Sequence, residues 1–153
     1  MRVDPRKSKR LAHRIRSWAR QHRMPNAVVT SPLRRAADVG RWLAAWGWSH
    51  RIDARLSELD FGEWDGQTWE QIGKPAVDAW MGEFSEFRPG DGESVSALIE
   101  RCAAFIADAD GSCVVGHAGW IGAALWLGIS PGEPAVANRW PPAVKYGQRV
   151  TLR

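Results

Sequence analysis

The chain has 153 residues, of which 44% are hydrophobic and 25% are charged, a balance that predicts one globular domain over residues 1–153. No apolar run reaches the length of a membrane span, and the N-terminus lacks the hydrophobic stretch of a secretory signal, so we expect a soluble cytoplasmic protein without a membrane partner. The net charge of +4 suits an anionic partner such as a phosphate ester or a nucleic acid.

The first segment of the chain predicts an amphipathic helix. Asp4 and Pro5 fit an N-cap followed by a proline at the first helical position. Apolar residues then recur at helical spacing, with many arginines and lysines between them in the stretch from Arg2 to Arg23. Residues 27–30 form a short apolar run typical of a strand.

A second helix is predicted after this strand, with Ser31 and Pro32 as its cap signal and a helical apolar stripe over residues 33–44. The acid-rich segment 58–93 contains closely spaced glycines and prolines, which favour turns and suggest an insertion that covers a site. The remaining predicted elements are helices at 69–81, 95–109 and 119–127 and strands at 113–116 and 146–152. Strands separated by helices indicate an α/β layered fold with a mostly parallel sheet.

Polar residues that follow predicted strands mark candidate sites, because ligands of parallel sheets bind at the carboxyl ends of the strands. Ser31 to Arg35 follow the first strand and open a helix, whose N-terminus favours anions. His117 follows the strand at 113–116 and is followed by Ala118 and Gly119. Two further candidates lie in the loops around Glu58 and Ser94.

Four motifs in this order resemble the histidine phosphatase superfamily of phosphoglycerate-mutase-like proteins. They are Ser-Pro-Leu-x-Arg-Ala from Ser31, Leu-x-Glu-x-x-Phe-Gly-x-Trp-x-Gly from Leu56, Gly-Glu-Ser from Gly92 and Val-Val-x-His-x-Gly from Val114. The Phe-Gly-x-Trp-x-Gly version resembles the branch of α-ribazole phosphatases and broad-specificity phosphatases. The resemblance implies a three-layer α/β/α fold and a small phosphorylated substrate that is hydrolysed through a phosphohistidine.

The resemblance also implies roles for individual residues. Arg35 would hold the phosphoryl oxygens, although an arginine at this place could also be an exposed helix residue paired with an acid. Arg34 does not match the motif and is expected to face solvent. His117 would bind the transferring phosphoryl group. Glu58 would donate a proton to the leaving group, with Asp60 and Glu63 as competing acids. Ser94 would line the phosphate pocket or, equally well, cap a helix.

One family motif has no counterpart in the chain. The family begins with a strand that ends in Arg-His-Gly or Arg-His-Pro, and the histidine of this motif is the nucleophile. His13, His22 and His50 do not follow predicted strands in this way. We therefore expect that the recorded start is displaced, that the first strand is missing from the 153 residues, and that this chain alone is inactive or nearly so.

Two other hypotheses compete with a phosphatase. A non-catalytic relative that keeps a weak phosphate pocket explains the same motifs. A nucleic-acid-binding protein would use the basic first helix, but this ranks last because basic residues are ordinary on the solvent face of an amphipathic helix. A sheet without its first strand would expose an edge through which copies of the chain could form a homo-oligomer.

The cysteines add no metal or cofactor to this interpretation. Cys102 and Cys113 have neither zinc-site nor Cys-x-x-Cys spacing. Because disulfides are rare in the cytosol, we expect both to be reduced and structural.

Overall fold

The computed structural model describes residues 4–152. The backbone forms two compact units. Unit 1 contains residues up to Ser57 together with Phe105–His117, and unit 2 contains Glu58–Ala104 together with the residues from Ala118 onward. Within the described part of the chain, no helix combines the length and the apolar character that crossing a membrane requires.

Unit 1 is an α/β unit built around a parallel sheet. Its elements are α1 (Pro5–Gln21), β1 (Ala27–Thr30), α2 (Arg34–Ala45), β2 (Ser49–Ile52) and β3 (Cys113–Val115). The strand order is β2-β1-β3. Both pairings are parallel, with Thr30 opposite Ile52 on one side and opposite Val115 on the other. The carboxyl ends of the three strands therefore lie side by side.

The predicted start of α1 is confirmed. Asp4 accepts a hydrogen bond from the amide of Arg6 at 2.9 Å, and Pro5 occupies the first helical position. Ala12 and Ala19, which lie on the apolar side of α1, are fully buried. They share a core with Val28 of β1, with Val39 and Leu43 of α2, and with Trp48 in the loop after α2. Burial of this apolar stripe holds α1 in place.

Unit 2 is helical and aromatic-rich. It contains α3 (Trp69–Ile72), α4 (Lys74–Gly82), most of α5 (Val95–Ala107) and α6 (Ala118–Ile129). The helix predicted at 69–81 is divided in two at Gly73, whose φ of +91° lies in the left-handed region. Trp80, Trp120 and Trp126 are buried, whereas Trp69 is 59% exposed.

Two segments of unit 2 cross with their backbones in contact. An added Cβ at Gly62 or Gly92 would overlap backbone atoms of the other segment, and the same is true of Gly90. The amide of Glu93 donates to the carbonyl of Asp60 at 2.7 Å at the same crossing. We call this contact between residues 60–62 and 90–93 the glycine crossing.

Two expectations about secondary structure are wrong. Residues 146–152 form no strand; a turn lies at their start, where the amide of Gln148 donates to the carbonyl of Lys145 and Gly147 has a φ of +74°. Ser31 does not cap α2, because the N-cap position is occupied by Leu33 and has no side-chain hydrogen bond. β2 is an edge strand of mostly exposed residues and was not predicted, because it lacks an apolar run.

Candidate active site

Arg35 and His117 meet at the carboxyl ends of neighbouring strands in unit 1. Ser31 follows β1 directly and His117 lies two residues beyond β3. The Nε of Arg35 donates to Nδ1 of His117 at 3.2 Å. The Nε2 of His117 lies 2.7 Å from the hydroxyl of Ser31. His117 is 6% exposed and Ser31 is fully buried, so the imidazole is held on both sides by groups of the sheet edge.

The contact with Arg35 defines the tautomer of the His117 ring. A guanidinium can only donate hydrogen bonds, so Nδ1 of His117 must accept. The proton of the neutral imidazole is then on Nε2, which donates to Ser31. The Ser31 oxygen also accepts from the amide of Leu33 at 3.2 Å. The hydroxyl therefore joins the imidazole to the loop that precedes α2.

The N-terminus of α2 adds donors beside this pair. Leu33 provides no side-chain cap, so the first amides of α2, those of Arg34 and Arg35, are not satisfied within the helix. Arg35 is exposed, and its terminal nitrogens have no protein partner within residues 4–152. Arg34 instead lies 3.6 Å from Asp38, with its side chain 81% exposed. The prediction that Arg34 faces solvent is confirmed.

Glu58 is held by backbone amides in unit 2. One carboxylate oxygen accepts from the amide of Leu59 at 2.9 Å, and the other accepts from the amide of Gly119 at 3.0 Å. An added Cβ at Gly119 would overlap the carboxylate. Asp60 and Glu63 are both exposed, whereas Glu58 is half-buried. Of the three acids that compete in the sequence, Glu58 has the most fixed carboxylate.

A half-buried ion pair supports the backbone of Glu58. Arg101 on α5 donates to Glu93 through Nε at 2.7 Å and through Nη2 at 3.0 Å. Its Nη2 also donates to the carbonyl of Glu58 at 3.1 Å.

Ser94 caps helix α5. Its hydroxyl accepts a hydrogen bond from the amide of Ala97 at 3.1 Å. Phosphate binding by Ser94 stays a prediction.

The other histidines have contacts of their own. His13 lies on the exposed side of α1 beside Trp46, with the ring centroids 4.3 Å apart. His22 ends α1, and its Nδ1 lies 2.9 Å from the carbonyl of Trp18. His50 is on β2, where its Nε2 lies 2.8 Å from the buried hydroxyl of Thr30. Neither the contact of Ser31 with His117 nor that of Thr30 with His50 was predicted, although the two hydroxyls are adjacent at the carboxyl end of β1.

Solved structures similar to this chain include phosphatases. A mycobacterial glucosyl-3-phosphoglycerate phosphatase in complex with inorganic phosphate is 27% identical, with a TM-score of 0.65, over 85% of this chain and 68% of that one. A structure described as mycobacterial hydrolase 2 is 27% identical, with a TM-score of 0.65, over 86% of this chain and 61% of that one. The protein TTHB049 from Thermus thermophilus is 29% identical, with a TM-score of 0.60, over 79% and 65% of the two chains.

The family of the chain is shown by a match to a family model. No curated protein matches the chain, but the family model for the histidine phosphatase superfamily (branch 1) matches residues 6–139. This span includes Arg35, Glu58 and His117. The α/β fold with its parallel sheet is the phosphoglycerate-mutase-like fold of the structural relatives. The chain belongs to branch 1 of the histidine phosphatase superfamily.

Proposed function

We propose that the protein is a phosphomonoesterase of the histidine phosphatase type, and that Arg35 and His117 hold the phosphoryl group of its substrate. The contact that carries this proposal is the 3.2 Å hydrogen bond between these two side chains at adjacent strand ends. The guanidinium has unused donors, and the uncapped start of α2 favours an anion at the same place. A phosphate oxygen is the ligand that this set of donors fits.

In the proposed reaction a histidine attacks phosphorus, so that an N–P bond forms as the ester P–O bond breaks. The family resemblance assigns to Glu58 the proton that the leaving oxygen takes. Water then attacks the phosphohistidine and gives its proton to Glu58, which releases inorganic phosphate and restores both groups. Arg35 would stabilise the charge on the phosphoryl oxygens in both steps through its unused donors, and His117 would do so by turning its Nε2–H from the Ser31 hydroxyl to the phosphoryl group.

The attacking histidine is not assigned to any of the four histidines of these 153 residues. His117 makes hydrogen bonds through both ring nitrogens, and His13, His22 and His50 do not follow β1 or β3. We therefore propose that these 153 residues by themselves bind phosphate monoesters without turning them over. The second candidate function, a non-catalytic phosphate-binding relative, predicts the same behaviour. A turnover of aryl phosphate that depends on His13, His22 or His50 would contradict this.

We propose a sugar-containing phosphate monoester as the substrate class. The motif resemblance favours α-ribazole 5′-phosphate, and one of the structural relatives is named for its action on glucosyl-3-phosphoglycerate. Both compounds place a phosphate monoester next to a larger sugar-containing group. Competition of each compound with bound inorganic phosphate would rank them.

A phosphate titration followed by NMR tests the binding site. The parent chain should bind inorganic phosphate with a dissociation constant of about a millimolar. The substitution Arg35→Ala removes a charge-assisted bond of roughly 1.5–3 kcal/mol, which is a loss of about ten- to hundredfold in affinity. The substitution Arg34→Ala is the matched control, because it removes the same charge from the adjacent, solvent-facing position. Equal losses from both substitutions would show that phosphate senses only diffuse positive charge.

A further inference from the structure

Helix α1 has a charge composition that the phosphatase site does not use. Its 17 residues include seven arginines and lysines and no aspartate or glutamate. The described residues of unit 1 contain thirteen arginines and lysines against five aspartates and glutamates, so the positive charge extends beyond the helix. Arg2, which belongs to the basic segment of the sequence, lies outside the described residues.

The positive charges lie on the side of α1 that faces solvent. Leu11, Ile15 and Trp18 pack against the core of unit 1. Arg6, Arg10 and Arg14 recur at four-residue steps on the opposite side, and each of them is exposed. Each step of four residues advances about 6 Å along the helix. We call these three arginines, together with the exposed residues Lys7 and Arg20, the basic face of α1.

Four of the five residues of the basic face form no ion pair with an acid within residues 4–152. They are Arg6, Lys7, Arg10 and Arg20. The neighbouring helix α2 differs in this respect, because its Asp38 pairs with both Arg34 and Arg41. Basic residues are ordinary on a solvent face, but α1 has no acid among them, and like charges at four-residue spacing repel one another. A polyanion would relieve this repulsion.

We propose that the basic face of α1 binds the phosphate backbone of duplex nucleic acid without sequence preference. Arginine is suited to this role because its planar guanidinium donates two hydrogen bonds to a phosphate. The face itself contains no tryptophan, tyrosine or phenylalanine on which unpaired bases could stack, and the ring of Trp46 beside it is already packed against His13 and Arg16. The backbone of a duplex therefore suits the face better than a single strand.

An anionic membrane fits the same charges less well. Helices that bind in the membrane interface insert an apolar face beneath the headgroups. The apolar side of α1 is packed in the core, where Ala12 and Ala19 are fully buried. The residues between the arginines of the exposed side, His13 and Ser17, are polar. The basic face could therefore attract an anionic membrane electrostatically, but it has no apolar surface to insert.

Fluorescence anisotropy with a labelled duplex of about 20 base pairs tests the proposal. The duplex carries hydroxyl ends, so that it presents no phosphate monoester to Arg35 and His117. The association constant of the 153-residue chain should fall steeply with salt, with a slope of about 0.9 per neutralised phosphate on logarithmic axes. The double substitution R6Q/R10Q should weaken binding roughly 30- to 100-fold at about 0.1 M salt and reduce the slope by about 2.

Three control variants separate binding at this surface from a general effect of charge and from binding at the phosphoryl site. The variant K74Q/K145Q removes the same charge from exposed positions in unit 2 and should change the affinity less than about threefold. The variant R6K/R10K keeps the charge and should keep most of the binding. R35A, which impairs the proposed phosphoryl site, should leave duplex binding unchanged. Circular dichroism checks that every variant remains folded.

Other results would overturn the proposal. Equal losses in R6Q/R10Q and K74Q/K145Q would mean that the duplex senses only net charge. Loss of duplex binding in R35A would show that the duplex binds at the phosphoryl site and not at the basic face. Tighter binding to vesicles of anionic phospholipid than to the duplex would identify the basic face as a membrane-binding surface. If the parent chain showed no salt-dependent binding of the duplex, the basic face would not be a nucleic-acid-binding surface.

Discussion

The carboxylate of Glu58 owes its position to the absence of one methyl group at Gly119. The amide of Gly119 donates to one oxygen of Glu58, and a Cβ at this position would overlap the other. Gly119 is the second residue of α6, where it has no positive φ. Its backbone conformation would tolerate alanine, so the requirement for glycine comes from the carboxylate alone.

Replacing Gly119 by alanine should therefore destabilise the protein although alanine is the better helix former. We expect Gly119→Ala to lower the free energy of unfolding by about 1–3 kcal/mol, because Glu58 must leave its two amide donors. Gly128 provides the control, since it lies in the same helix with nothing within 4 Å of an added Cβ. Gly128→Ala should stabilise by about 0.5–1 kcal/mol. Urea denaturation measures both, and an equal gain for the two substitutions would refute the contact.

The different surroundings of Arg34 and Arg35 were predictable from the sequence, but the role of Ser31 was not. Arg35 and Arg34 differ in motif position, and the structure turns one toward His117 and the other toward Asp38. Ser31 was predicted to cap α2, yet its hydroxyl meets His117, 86 residues further along the chain. A cap is a local signal, whereas the contact with His117 arises only when β1 and β3 pair.

The contact between α2 and β2 depends on a second glycine. An added Cβ at Gly40 would overlap the imidazole of His50, which is bonded to the buried hydroxyl of Thr30. Burial, with a smaller contribution from the positive charge of Arg41, lowers the pKa of His50 below its ordinary value. The ring is therefore neutral at pH 7 and packs as an uncharged group between helix and strand.

A double-mutant cycle should show that Gly40 and His50 are coupled. Gly40→Ala alone should cost about 1–3 kcal/mol of stability, because the ring must move. His50→Ala alone should cost a similar amount, since the Thr30 hydroxyl loses its partner. In the His50→Ala background, Gly40→Ala should cost less than about 0.5 kcal/mol, because the overlap is gone. Unfolding in urea at neutral pH gives the four values, and simple additivity would contradict the coupling.

The helices were easier to predict than the strands. The apolar stripes of α1, α2, α5 and α6 predicted all four helices, because periodic burial is visible in a single segment. Residues 146–152 alternate as a strand would but are not one, and β2 is a strand without an apolar run. Strand formation depends on a hydrogen-bonding neighbour, and a single segment does not show whether that neighbour is present.

The two outer strands of the sheet differ in chemistry. β2 presents exposed and charged residues, including Arg51, which discourage pairing with another chain. β3 consists of Cys113, Val114 and Val115, all half-buried, and pairs only with β1 among the strands that the structure describes. The predicted association of copies through the sheet would therefore use β3.

Sedimentation velocity at increasing protein concentration tests this association. We expect the parent chain to self-associate and Val114→Lys to shift it toward the monomer, because a lysine disfavours edge-to-edge pairing. Ile52→Lys places the same change on β2, at a residue that is 50% exposed, and should have no effect. A parent chain that is monomeric at all concentrations would rule out the β3 edge as an interface.

The glycine crossing has a consequence for how such a protein diversifies. It brings the two ends of the segment from Glu63 to Pro89 together, backbone against backbone. The entropy of closing a loop changes slowly with its length, by roughly 0.6 kcal/mol for each doubling. Evolution can therefore lengthen, shorten or rewrite this segment while its two anchor points stay fixed. The crossing therefore makes this segment tolerant of changes in length and sequence, provided that the glycines at the crossing are kept.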